Sequence, residues 1–224
     1  MKRAQGPGAT LVVLGLCALS AAAIAGNGAF ALAGMAIDRG AAQLERAGST
    51  PRGSARDALL DQAQSNLKTG LAIAAGDARG WDLMGETRWM QATAAQARGV
   101  SPTLLADARM ATETAARLAP QALSTQVRMA AIESLAPDGA DRAAAWVARS
   151  YLNGGDRTVD ARRVIAAARV WAALDAPTQQ AVLREACAVA ATGEAGANAL
   201  SAAIEEDART GAAMGVILNA ARCV

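Results

Sequence analysis

The sequence predicts an all-α protein, and three observations support that prediction. First, the chain of 224 residues is 53% hydrophobic but only 3% aromatic, whereas sheets favour aromatic and β-branched side chains. Second, the chain is rich in alanine, the best helix former. Third, larger apolar residues recur at intervals of three and four between short breaks that contain glycine or proline. We therefore expect helices throughout and no sheet.

The first predicted element is an apolar N-terminal helix. Residues 1–8 form a short basic region with Lys2 and Arg3, and residues 9–37 carry no charged side chain. A helix over 9–37 rises about 1.5 Å per residue and is long enough for a hydrocarbon core of about 30 Å. We expect a single-pass signal anchor in the inner (cytoplasmic) membrane, with residues 1–8 in the cytoplasm and the C-terminal domain in the periplasm.

A cleaved signal peptide is the alternative interpretation of this segment. Its apolar region would be Ala9–Leu19, and Ala23-Ile24-Ala25 offers small residues at both recognition positions. Cleavage after Ala25 would release a soluble periplasmic protein. The apolar sequence continues through Phe30–Ile37, which favours the anchor.

The boundary of the helical domain is Gly48–Gly53, where glycine, serine, threonine and proline end the first helix. Residues 38–53 are accordingly interpreted as a linker, and residues 54–224 as a helical-repeat domain. Ser54 is the predicted N-cap of the second helix, and Asp77 is the predicted N-cap of the third.

Further helices are predicted between recognisable caps and breaks. Ser101 followed by Pro102 predicts a new helix, and Asp175 predicts the N-cap of a later one. One uninterrupted helix is expected over Val159–Leu174. The predicted breaks are Gly99, Pro120, Pro137–Gly139, Asn153–Asp156 and Gly193–Gly196. Helices joined by such short connections form antiparallel hairpins, and stacked hairpins build an α-solenoid.

The segment Trp81–Gly85 resembles the first helix of the tetratricopeptide repeat, which begins Trp-x-x-Leu-Gly, with Met84 where the family has leucine. The spacing of the family's second helix is matched by Ala108, Thr112, Ala115 and Pro120. Thr112 lacks the aromatic ring of the family pattern, and Gln91–Val100 lengthens the hairpin by about eleven residues. The resemblance covers residues 54–136.

This resemblance implies a stacked, tetratricopeptide-like scaffold whose concave face binds an extended peptide or another protein. The layout of anchor plus helical domain also resembles small membrane-anchored helical-repeat proteins of bacterial envelopes. It implies a scaffold or adaptor outside the cytoplasm that mediates contacts between other envelope proteins. The alternative of a cleaved signal implies a soluble periplasmic module that binds a peptide or a polysaccharide.

Charge and composition argue against several other functions. The net charge is +2, from 22 basic and 20 acidic residues, and no basic stripe is present, so nucleic-acid binding is not expected. The chain has no histidine, which removes the usual general base, metal ligand and partner of a nucleophile. We see no glycine-rich nucleotide loop and no zinc-ligand spacing. The sequence therefore predicts no catalytic residues, no cofactor and no metal, and a protein that is not an enzyme.

Two kinds of residue remain as candidate sites. The four tryptophans at helical spacing are expected to fill gaps between alanine-rich helices. Trp89 is the exception, because Glu86 and Arg88 lie beside it near the long hairpin, and we interpret Arg88 and Trp89 as candidate partner-binding residues. Cys187 and Cys223 would both lie outside the cytoplasm, where they form either a disulfide or two buried free thiols.

Overall fold

The computed structural model describes residues 7–94, 101–154, 161–193, 198 and 212–217, with side chains from residue 26 onward. These residues contain no strand, which confirms the all-α prediction for the described part of the chain. They form eight α-helices and one short 3-10 helix, and residues 212–217 are a further short helical segment. The α-helices are α1 (Pro7–Ser49), α2 (Ser54–Ile73), α3 (Ala78–Ala94), α4 (Pro102–Leu118), α5 (Leu123–Glu133), α6 (Ala140–Gly154), α7 (Ala161–Arg169) and α8 (Ala176–Ala191), and the 3-10 helix is Trp171–Ala173.

Three of the predicted N-caps are confirmed. The Asp77 carboxylate accepts a hydrogen bond from the Gly80 amide at 2.8 Å at the start of α3. Ser101 caps α4 by accepting from the Leu104 amide, with proline at the first turn. Asp175 caps α8, and its hydrogen bond from Thr178 lowers the pKa of the Asp175 carboxyl. Such caps satisfy amides that have no partner inside the helix.

Two predicted helix boundaries are wrong. Ser54 is the first residue of α2, and the N-cap is Gly53, whose φ of 150° lies in a region that favours glycine. The helix expected to reach Leu174 ends at Arg169, because Val170 leaves helical geometry with φ −121° and ψ 21° before the 3-10 helix. Val159 lies outside the described residues.

The described chain divides into an N-terminal unit (Met1–Leu83) and a C-terminal unit (Met84–Val224). In the N-terminal unit α1 and α2 form an antiparallel hairpin with close backbone contact. A Cβ built on Gly40 would lie 2.7 Å from Leu67 Cγ, and one built on Gly70 would lie 2.6 Å from Ile37 Cγ1. The buried residues of this seam are Ala33, Ala36, Ile37, Leu44, Ala47, Leu60, Ala63, Leu67 and Leu71.

The helix α1 extends beyond the part that packs on α2. None of residues 26–32 is buried, and a Cβ on Gly26 or Gly28 would meet nothing within 4 Å. Phe30 and Leu32 are 63% and 62% exposed. The side chains of residues 9–25, on which most of the predicted membrane segment falls, lie outside the described part. Within the described residues, no helix combines the length and the apolar character needed to cross a bilayer.

In the C-terminal unit, mainly small and β-branched residues from α5 to α8 form a hydrophobic core cluster. Val147, Val164 and Val182 are fully buried at its centre. Alanines fill most of the remaining positions, so the helix axes lie close together. The short helical segment 212–217 contributes Met214 and Ile217 to the same core.

A buried polar cluster links α6, α7 and α8. The Arg163 side chain is 2% exposed and donates from Nε and Nη2 to the two Glu185 carboxylate oxygens at 2.7 and 2.6 Å. The Tyr151 hydroxyl donates to Glu185 Oε2, and the Arg163 guanidinium stacks 4.2 Å from the Tyr151 ring centroid. Burial, with the adjacent Glu185 charge, raises the pKa of Tyr151 well above its ordinary value. Because Tyr151, Arg163 and Glu185 bind one another, the cluster has a structural role and holds the three helices together.

A second buried carboxylate connects α4, α5 and α6. Glu133 is almost fully buried and ion-pairs with Arg109 at 2.9 Å and Arg142 at 2.8 Å. Gly139 lies against its backbone, where a Cβ would come within van der Waals overlap of the Glu133 carbonyl. The turn before α6 therefore requires glycine at this position.

Candidate functional site

A cleft opens between α3, α5 and α7 within the C-terminal unit, with a volume of about 140 Å³. Helix α3 contributes two of its residues, and α5 and α7 contribute four each. The lining residues are Glu86, Trp89, Ser124, Val127, Arg128, Ala131, Arg162, Ile165, Ala166 and Arg169.

The lining residues follow helical spacing. Those of α5 occupy positions 124, 127, 128 and 131, and those of α7 occupy 162, 165, 166 and 169. Residues at such intervals share one face of a helix, because each residue turns the helix by about 100°. Each face therefore presents polar and apolar side chains to the same cleft.

Among the described lining residues, Arg128, Arg162 and Arg169 are basic and Glu86 is acidic. Arg128, only 7% exposed, donates from Nη2 to Glu86 Oε2 at 2.6 Å. Arg162 Nη1 lies 3.5 Å from Glu86 Oε1, and its side chain is 61% exposed. Glu86 therefore holds the buried guanidinium closely, whereas Arg162 lies at the solvent-exposed mouth.

The apolar side of the cleft contains Trp89, Val127 and Ile165. The indole Nε1 of Trp89 is buried and finds no hydrogen-bond acceptor among the described residues. A buried donor without an acceptor costs about 1–3 kcal/mol relative to a satisfied one. The Trp81 indole differs, because its Nε1 donates to the Ala75 carbonyl at 2.7 Å.

Of the two predicted partner-binding residues, one faces the cleft and the other faces a different surface. Trp89 lines the cleft, and Arg88 does not. Arg88 ion-pairs with Asp107 of α4 at 3.6 Å and donates to Gln91 at 3.2 Å. Successive residues on a helix point in different directions, so the two neighbours serve different surfaces.

The sequence alone does not identify the three cleft arginines as site residues. Their only sequence signal is the repeated spacing of polar and apolar residues on two helices that lie far apart in the chain. Arginine at such positions is common on solvated helix faces, so the spacing alone does not identify a site. The tertiary packing of α5 beside α7 brings the two faces together.

The candidate disulfide falls partly outside the described residues. Cys187 is disulfide-bonded. Its partner has no described side chain, and Cys223 lies outside the described residues, so the pairing of Cys187 with Cys223 stays a prediction.

The cleft offers chemistry suited to binding an anionic group. Guanidinium groups form charge-assisted hydrogen bonds with carboxylates and phosphates, and the adjoining apolar wall accommodates hydrocarbon. Among the residues that the structure describes, no group of three or more acidic, cysteine or histidine side chains is arranged to hold a metal ion.

The chain matches no protein-family model, and neither the comparison with curated proteins nor that with solved structures finds a match.

Proposed function

We propose that this protein is a membrane-anchored helical scaffold outside the cytoplasm, which docks another envelope protein through the cleft between α3, α5 and α7. The observation that carries the proposal is the lining of that cleft. Three arginines and one glutamate adjoin an apolar wall that includes Trp89, a composition typical of protein-binding sites. Tryptophan and arginine are the residue types that most often dominate the energy of such contacts.

The membrane anchor is supported by residues 26–32 of α1, none of which is buried in the described chain. The backbone of α1 is helical from Pro7 to Ser49, but burial against α2 begins only at Ala33. The preceding residues, 9–32, are uncharged, and their exposed apolar side chains include Phe30 and Leu32. Exposed apolar side chains on a helix find a suitable environment in lipid.

The repeat architecture is supported by one close contact. Gly85, which the resemblance assigns to the first helix of a tetratricopeptide repeat, lies directly against Thr112 of α4, where a Cβ would overlap the Thr112 hydroxyl. Small residues at this crossing allow α3 and α4 to pack as a close pair. We propose that this pair is one unit of a degenerate, tetratricopeptide-like array.

Release by signal cleavage is the second candidate, and one observation favours it. Cleavage after Ala25 would keep every α1 residue that is described as buried, because the first of these is Ala33. The hairpin therefore keeps its seam in either form. N-terminal sequencing of the mature protein separates them, since Met1 or Gly26 would be the first residue.

Docking through the cleft is tested by affinity purification from solubilised membranes. The bait is the full-length protein, in its native form and with Trp89→Ala, and the control bait carries Arg117→Gln. Arg117 is exposed on α4, where it contacts Thr114 and does not line the cleft. We expect one partner in stoichiometric amount with the native and control baits, and its loss with Trp89→Ala. A partner retained equally by all three baits would contradict docking at the cleft.

A further inference from the structure

We infer that one end of the α1–α2 hairpin lies in the interfacial layer of a lipid bilayer, where the turn from α2 to α3 makes a second membrane contact. This inference rests on the proposed membrane anchor and adds to it a lipid-binding surface built partly by a second helix. We call this surface the open end of the hairpin, and it consists of residues 29–35 and 72–76.

The packing of α2 on α1 places the end of α2 beside the exposed part of α1. A Cβ built on Gly70 would lie 2.9 Å from the Ala33 carbonyl oxygen, so these two residues lie at the same level of the hairpin. Ile73 follows Gly70 by three residues, or about 4.5 Å along the helix axis, and α1 runs in the opposite direction. Ile73 therefore lies at the level of Phe30.

The open end of the hairpin exposes large apolar side chains from both helices. Phe30, Leu32 and Met35 of α1 are exposed, and so is Ile73 at the end of α2. They are four of the eight large apolar side chains that are exposed in the described part of the chain. Because apolar surface concentrated in this way is rare on a protein that faces only water, it indicates an interaction surface.

The sequence around the open end favours lipid as the occupant of this surface. Residues 69–76 carry no charged side chain, and neither do residues 9–37. The open end therefore continues, on the same helix and without a charge, into the proposed membrane segment. A surface that is continuous with a membrane anchor meets the bilayer before it meets another protein.

The first charged side chains beyond the open end show where the membrane surface would lie. Asp38 of α1 pairs with Arg79 of α3 at 2.7 Å, and both side chains are exposed. Phe30 precedes Asp38 by eight residues, or about 12 Å of helix, whereas each headgroup layer is about 5–8 Å thick. With this ion pair at the aqueous boundary and α1 along the membrane normal, Phe30 reaches the hydrocarbon.

The turn between α2 and α3 has features suited to the interfacial layer. The Trp81 indole nitrogen donates to the Ala75 carbonyl at 2.7 Å, and the Asp77 amide donates to the Ala74 carbonyl at 3.0 Å. Carbonyls that are already bonded within the protein cost less to move away from water. Tryptophan is also enriched at membrane–water interfaces, because its ring joins an apolar body to a polar N–H.

The test measures the depth of position 73 with the intact protein in vesicles of phosphatidylethanolamine and phosphatidylglycerol. A fluorescent amino acid replaces either Ile73 or Ala58, which is exposed on the same helix about 22 Å away along the axis. Bromine atoms on the acyl chains quench fluorophores in the hydrocarbon, and iodide quenches fluorophores in water. We expect bromolipid to quench position 73 at least about threefold more than position 58, and iodide to show the reverse order.

Both labelled positions are solvent-exposed, so both labelled proteins should fold, and their thermal unfolding checks this. Position 58 is the matched control, because it differs from position 73 mainly in its distance from the open end. Equal quenching of the two positions by bromolipid, or stronger iodide quenching at position 73, would overturn the inference.

The outcome also separates this inference from the proposed anchor. If an alkaline wash leaves the protein in the vesicles but bromolipid does not quench position 73, the anchor stands and the second contact is wrong. If the wash releases the protein, the anchor is wrong. Bromolipid quenching at position 73 before that wash would then still support the contact, and its absence would contradict both proposals.

Discussion

Glu86 on α3 binds Arg128 on α5 with an oxygen–nitrogen distance of 2.6 Å, and this contact fixes one side of the cleft. The two side chains are only 22% and 7% exposed, so the pair is largely removed from water. The positions lie 42 residues apart in the chain, and the contact joins two helices that the sequence does not connect directly. It also holds a carboxylate within reach of Arg162.

We predict that Glu86→Gln lowers the free energy of unfolding by about 1–3 kcal/mol, because the buried Arg128 would lose its charge-assisted hydrogen bond to the Glu86 carboxylate. Chemical denaturation of the purified protein measures the change. Glu113→Gln is the control, since Glu113 forms an exposed pair with Arg109 four residues away and such pairs contribute about 0.3–0.5 kcal/mol. Equal losses in the two variants would contradict the assigned importance of the Glu86–Arg128 contact.

The Tyr151 cluster predicts a loss of stability in alkali. Because the pKa of Tyr151 is raised in the folded protein, the unfolded chain loses its tyrosine proton first, from about pH 10 upward. The folded state is then progressively destabilised as pH rises, by up to about 1.4 kcal/mol per pH unit from this group. Below that range the contribution is fully present.

Tyr151 is the chain's single tyrosine, so tyrosinate absorbance in the near ultraviolet reports this group alone. We expect tyrosinate to appear together with loss of helical circular dichroism. Tyr151→Phe serves as the control and should flatten the dependence of stability on pH above about 10. Tyrosinate that forms near its ordinary pKa in the folded protein would show that the hydroxyl is not held by Glu185.

The packing of α1 on α2 predicts that alanine substitutions at two glycines change the stability of the protein in opposite directions. Gly70→Ala should destabilise the protein by about 1–3 kcal/mol, since the new Cβ would lie 2.6 Å from the Ile37 side chain and 2.9 Å from the Ala33 carbonyl. Gly34→Ala meets nothing within 4 Å and should stabilise α1 by about 0.5–1 kcal/mol. Thermal unfolding of the two variants tests the prediction. Destabilisation by both to the same extent would contradict the described seam.

The hydrogen bonding of the Trp81 and Trp89 indoles predicts that phenylalanine substitutions at the two positions lower stability by different amounts. Trp81→Phe removes the 2.7 Å hydrogen bond to Ala75 and should cost about 0.5–1.5 kcal/mol more than Trp89→Phe, whose indole nitrogen has no acceptor among the described residues. Denaturant titration of both variants measures the difference. A larger loss for Trp89→Phe would mean that its N–H has a partner in the folded chain.

The helix caps and the break between the first two helices can be predicted from the sequence, because each depends on residues only a few positions apart. Asp77, Ser101 and Asp175 are confirmed as caps, since a short polar side chain before a helix satisfies amides only a few residues away. The break at Gly48–Gly53 likewise separates α1 from α2. The all-helical class follows from composition and spacing summed over the whole chain.

The cleft could not be predicted in the same way because its parts are distant in sequence. The charged neighbours of Trp89 mark this part of α3 as a candidate site, but Arg88 pairs with Asp107 of α4 whereas Trp89 lines the cleft. Only tertiary packing decides which surface each side chain faces. Arg163 would be expected on a solvated face, yet it is 2% exposed because Glu185 and Tyr151 compensate its charge. Such compensation becomes visible only when the helices are assembled.

Site-specific photo-crosslinking in intact cells tests docking at the cleft most directly. A photoreactive amino acid replaces either Ser124, an exposed residue of the cleft lining, or Arg117 on α4, and adducts are compared after irradiation. We predict one dominant adduct from position 124, none from position 117, and loss of the position-124 adduct when Trp89→Ala is added. An adduct that survives Trp89→Ala, or equal adducts from both positions, would contradict a docking site in the cleft.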